Sequence, residues 1–141
     1  MSLSLPKRPT LTLEAARVAL AAAEAEAMRN GWRVVIAVVD DAGHPVLVAR
    51  LDGAQWSSIQ TAVQKARAAT AWKRPTRLLE ESINGGRAAF ATISQGMALL
   101  QGGVPIDVDG IVLGAVGVSG VKASDDEIVA TAGVNALKKA L

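Results

Sequence analysis

Asp109-Gly110 stands between two apolar, β-branched runs, Val104 to Val108 and Ile111 to Val118. Asp-Gly between such runs is a strong hairpin signal, because a tight two-residue turn needs positive φ at both of its central positions. A chain obliged to pair these runs antiparallel cannot form a fully parallel, doubly wound sheet. A second block repeats the message. Trp32 to Asp40 (WRVVIAVVD) is nearly continuous and β-branched, as expected of a central strand covered on both faces. Asp41-Ala42-Gly43-His44 is a turn, and Pro45 to Asp52 (PVLVARLD) is the returning strand, with Pro45 tolerable at its start.

Helical patterns flank both blocks. Thr12 is a plausible N-cap for a helix over residues 12–30, which Asn30-Gly31 stops. Ser57 or Ser58 caps a second helix to about Lys73, ended by Arg74-Pro75. Thr76 caps a short helix through Ile83, Asn84-Gly85-Gly86 breaks it, and another short helix covers Arg87 to Ile93. Met97 to Gln101 reads as a short edge strand. Ser124 is the expected N-cap of the last helix, with Asp125, Asp126 and Glu127 in its first turn and Lys138-Lys139 in its last. The expected architecture is α/β of the α+β kind: one antiparallel five-stranded sheet flanked by helices. Residues 1–141 form a single domain, with 1–10 a loosely ordered arm.

Only four residues are aromatic, so Ala, Val, Leu and Ile must build the core, and Ala-rich helices can approach closely. The absence of cysteine excludes disulfides, thiolate catalysis and Cys-ligated metal centres. The first ten residues lack the apolar stretch of a signal peptide, and no apolar run nears the ~20 residues that span a bilayer. A cytoplasmic protein without a membrane partner is the expectation. A net charge of +2, with no long basic run and no zinc-finger or RNA-binding motif, gives no reason to expect a nucleic-acid partner.

Specific stretches then accumulate in register: Ile36-Ala-Val-Val-Asp40, Gly43-His44, Ala49-Arg50-Leu-Asp52-Gly53, Lys65-Ala-Arg67, Arg74-Pro-Thr76, Gly85-Gly-Arg87, Gly102-Gly-Val-Pro105, Gly114 to Gly120 and Asp125-Asp-Glu127. In this order and spacing the chain resembles the GlcG/HbpS family, which includes the C-terminal domain of PduO-type proteins. The resemblance runs from about residue 11 to the end. It implies a profilin-like fold and higher homo-oligomers. It also implies haem as a cofactor in some members and catabolic roles of undefined activity in others.

His44 is the only histidine and sits in a turn, where it can serve as a haem ligand or as an acid/base, or simply face solvent, bonded to Asp41. Asp40 and Asp52 are its candidate carboxylate partners in catalysis. Joined with them in a metal site, one His per chain makes a poor ligand set, and no metal is expected. Arg50 shares a strand face with Asp52, to bind a carboxylate or to pair with that Asp. Lys65 lies mid-helix, able to reach an anion or to pair with Asp52. Gly85, Gly86 and Arg87, and Gly102, Gly103 and Pro105, offer backbone nests for an anion or serve only as tight turns. Arg74 and Arg87 are further anion contacts. Two main readings follow. One is a homo-oligomer binding haem or another anionic small molecule between subunits. The other is a cofactor-independent lyase, isomerase or deaminase acting on a small carboxylate. A structural or sensory subunit is the third.

Overall fold

The computed structural model describes residues 1–141. Strands β1 (Val35–Asp40), β2 (Pro45–Arg50), β3 (Gly103–Val108) and β4 (Ile111–Ser119) form one antiparallel sheet in the order β2-β1-β4-β3. Helices α1 (Leu13–Arg29) and α4 (Ala123–Ala140) cover one face, and α2 (Ser57–Trp72) covers the other, followed by α3 (Thr76–Asn84) and a 3-10 turn over Ala88–Ile93. The α+β class therefore stands, with four strands instead of five.

Both hairpins form as their turn chemistry demands. Asp109 and Gly110 have φ of 52° and 79°, and Asp107 Oδ1 accepts the Gly110 N–H at 3.0 Å. Period-2 alternation then sorts the central strands. Val34, Ile36, Val38, Val116 and Val118 point to the α1/α4 face and meet Ala16, Ala19, Ala23 and Ala27. Val35, Ala37, Val39 and Ala115 point to α2 and meet Ala62, Ala66 and Ala69. Each fully buried valine contributes roughly 1.5–3 kcal/mol. The alanines let the helices sit close, and Gly117 takes this further: a Cβ there would overlap the Ala62 carbonyl oxygen and lie 2.6 Å from the Ala66 nitrogen.

The expected strand at Met97–Gln101 is absent. Its backbone is used elsewhere: the Ala98 N–H donates to the Gln64 carbonyl (3.4 Å) and the Gln101 N–H to Glu80 Oε1 (3.1 Å). Leu99 meanwhile packs on Ala68 and Leu79 in a satellite core, which Trp72 and Phe90 join edge-to-face at 5.7 Å.

Thr12 caps α1 as expected, accepting the Ala15 N–H. The other caps differ. The N-cap positions of α2, α3 and α4 are Trp56, Pro75 and Lys122, none bonding through its side chain. Thr76 is instead buried, its hydroxyl accepting the Gly103 N–H at 2.9 Å and tying α3 to β3. Residues 1–10 carry no helix or strand. Arg8 nonetheless reaches the Val112 carbonyl (3.3 Å) and Asp41 (3.2 Å).

Candidate functional site

The concavity that best suits a small molecule lies where α1 ends, β1 begins and β2 ends. It has a volume of about 480 Å³. Three local features build it. Gly31, at φ 70°, turns the chain out of α1 and brings Trp32 and Arg33 into the strand direction. The register pairs Val35 with Arg50, and the Leu51 N–H donates to the Val34 carbonyl at 3.0 Å, carrying the pairing one step past the strands. Gly53, at φ 84°, then reverses the chain; a Cβ there would lie 2.5 Å from Arg33 Nη1 and 2.8 Å from its Cδ. Arg33 thus lies across a turn that only glycine leaves open.

The lining is amphipathic. Met28, Trp32, Ala49 and Leu51 supply apolar surface, and Glu24, Arg33, Arg50 and Asp52 supply charge. Neither guanidinium is engaged in an ion pair or side-chain hydrogen bond within the chain. The Arg50–Asp52 pair considered from the sequence is therefore not made. Two free forked donors beside apolar surface suit a ligand with a hydrophobic body and acidic groups.

The other expected site residues lie apart from this concavity. His44 and Arg50 stand at opposite ends of β2, about 20 Å apart at ~3.3 Å per residue, so one chain cannot bring both to one small ligand. Asp40 organises the His44 turn: its Oδ1 accepts the N–H groups of Ala42 (3.0 Å) and His44 (2.9 Å), and its Oδ2 lies 3.8 Å from His44 Nδ1. His44 thus partners Asp40 and not Asp41, and its ring remains exposed. No group of three His, Asp or Glu side chains is arranged to hold a metal ion.

Lys65 does not pair with Asp52. It is buried against Asp126, Nζ to Oδ2 at 3.0 Å, and also donates to the Val118 carbonyl at 3.0 Å. Asp126 Oδ1 accepts the Val121 N–H at 3.1 Å. Burial raises the Asp126 carboxyl above its ordinary range even though the Lys65 ammonium opposes the shift.

The diglycines are already occupied. Gly102 and Gly103 are buried under Lys65, the Gly102 carbonyl accepts the Val118 N–H at 3.0 Å, and the Gly103 N–H is held by Thr76. Pro105 sits beside them in β3, half-buried opposite Ala115. The N–H groups of Gly85, Gly86 and Arg87 bond back to the carbonyls of Glu81, Ile83 and Ser82, closing the end of α3. Arg74 donates through Nε to the Trp72 carbonyl, and Arg87 is exposed.

Arg50 and Asp52 are thus the sequence candidates that meet in the concavity. Glu24, Met28 and Arg33 were not anticipated. A signal for Arg33 existed: it lies two residues before Val35, on the face that Arg50 shares across the β1–β2 pair.

Comparison with known proteins places the chain. GlcG of Escherichia coli is 42% identical over 109 residues, covering 77% of this chain and 81% of GlcG. A double mutant of Streptomyces reticuli HbpS superposes with a TM-score of 0.85 at 35% identity, covering 93% of this chain and 89% of that one. A complex of PduOC with heme superposes with a TM-score of 0.83 at 25% identity, covering 91% and 95%. The family described as "Haem degrading protein HbpS-like" matches residues 11–135, and the chain belongs to this HbpS-like family.

Proposed function

We propose that this protein is a small-molecule-binding homo-oligomer whose ligand is haem or a comparably flat, acidic molecule, seated in the concavity of Trp32, Arg33 and Arg50. The observation carrying this reading is the coincidence of two unpaired guanidiniums with Met28, Trp32 and Leu51 on the walls of one 480 Å³ pocket. The heme complex of PduOC supports haem as the ligand to test first.

The residues fit such a group in part. Arg33 and Arg50 match two carboxylates, and Trp32, Met28, Ala49 and Leu51 offer one apolar face. Bound here, haem would supply iron redox and ligand chemistry. The chain's own contribution is to neutralise the carboxylates and keep water off one side. The concavity is open, so the ligand's second face needs another subunit.

Titrating purified protein with hemin should shift the Soret band, and Arg50→Ala should weaken binding about tenfold, the equivalent of ~1.4 kcal/mol. Absence of a Soret shift in the wild type would remove the haem reading. An unaffected Arg50→Ala would remove this pocket as the seat.

A further inference from the structure

Glu24 is an anomaly on its helix. The residues three and four positions away are Leu20, Ala21, Ala27 and Met28, so no basic side chain of α1 faces it. It is half-buried, yet it makes no ion pair and accepts no hydrogen bond within the chain. Most other half-buried carboxylates are satisfied. Asp40 accepts two backbone N–H groups, and Glu26 holds Arg29 and Asn30. Glu80 accepts the Gln101 N–H, and Glu127 meets Arg77 and the Gln101 side chain. Asp125 lacks such a partner, but it stands in the first turn of α4, where the helix dipole favours an anion. Glu24 lies in the C-terminal half of α1, where that dipole offers no help.

This unsatisfied carboxylate lines the concavity already described. Glu24 and Met28, one turn apart, belong to its helix wall, whereas Arg33, Arg50 and Asp52 come from the strand side. The lining therefore carries two cations and two anions. A ligand charged only through its carboxylates is drawn by the arginines and repelled by Glu24. A ligand that also holds an electron-poor centre has a use for the helix wall as well. Haem is of this kind, with acid groups on its rim and, in the ferric state, a positive core. A carboxylate is a hard, anionic ligand, better matched to ferric than to ferrous iron.

We propose that Glu24 is the side chain that meets the electron-poor centre of the ligand, which for haem is the ferric iron, so that the pocket distinguishes an iron porphyrin from the metal-free ring. This rests on the pocket reading above and gives its helix wall a role. The only imidazole, His44, stands about 20 Å from Arg50 along β2 and does not compete for that role.

Hemin and metal-free protoporphyrin share the ring and both carboxylates and differ in the iron. Quenching of tryptophan fluorescence reads the binding of each, since Trp32 is part of the lining. Glu24→Gln keeps the shape and the helix propensity and removes the charge. It should weaken hemin binding about tenfold, the lower end of what a charge-assisted contact supplies. It should bind metal-free protoporphyrin at least as tightly as the wild type does, because a repulsion is gone. The reduction potential of bound haem should rise, because an anion that stabilises ferric iron is lost. Unchanged hemin affinity in Glu24→Gln overturns the assignment, and so does an equal loss for both porphyrins. Hemin binding that falls in Arg50→Ala and is untouched in Glu24→Gln condemns the role of Glu24 and leaves the pocket standing. A wild type that binds neither porphyrin condemns the pocket reading, and this assignment with it.

Discussion

Replacing Lys65 with Met leaves a carboxylate stranded in the core. In the wild type, Lys65 and Asp126 have side chains 4% and 2% exposed, and the ammonium donates to both Asp126 and the Val118 carbonyl. Met fills nearly the same volume, so the main loss is the partner charge. Breaking a buried pair from one side costs about 3–5 kcal/mol. For a domain of this size, 1 kcal/mol moves Tm by roughly 3–4 °C, so Lys65→Met should melt about 10–20 °C lower at neutral pH. The pH dependence has a definite sign. Burial already raises the Asp126 carboxyl, and removing the ammonium raises it further. A carboxyl raised in the folded state favours folding while protonated and loses that contribution as pH climbs through its folded value. The deficit of Lys65→Met should therefore be largest near pH 8 and shrink toward pH 5. Lys65→Met/Asp126→Leu should regain most of the loss, since no charge is left behind. Urea unfolding of the three proteins at both pH values measures this. A deficit under 1 kcal/mol, or one unchanged between pH 5 and 8, would refute the reasoning.

Gly117→Ala should cost about 1–3 kcal/mol by overpacking, because its methyl meets the α2 backbone, and urea unfolding should show a lower midpoint with an unchanged slope. Leu99→Ala should cost about 2–5 kcal/mol by opening a cavity between Leu79 and Ala68. Amide exchange should speed up over α3 and the Ala88–Ile93 turn before it changes in β1 or β4. Uniform acceleration across the chain would contradict a separate satellite core.

What the sequence disclosed depended on range. Asp109-Gly110 and the Asp41–His44 turn were legible because turn chemistry is local. The two-faced burial of Val34 to Val39 was legible because alternation needs no partner to be seen. Met97 to Gln101 misled because Met97 and Leu99 alternate like a strand, whereas their hydrophobic partners lie on α2 and α3. Lys65 was read as reaching an anion or pairing with Asp52, whereas its partner is Asp126, 61 residues away and out of reach of chain-local reasoning. Gly102-Gly103 resembled an anion nest because close packing and ligand approach demand the same missing side chain. In the pocket, Arg50 and Asp52 were visible from strand alternation. Arg33 carried the same alternation signal, two residues before Val35, but the room that Gly53 leaves for it is a tertiary feature.

Two free guanidiniums beside one apolar wall should select an acidic, flat ligand. The direct measurement compares hemin with its dimethyl ester, identical except for the two blocked carboxylates, by Soret titration. Hemin should bind at least tenfold more tightly than the ester, and Arg33→Ala/Arg50→Ala should erase the difference. Equal affinity for the two compounds, or a preference that survives loss of both arginines, would contradict the account.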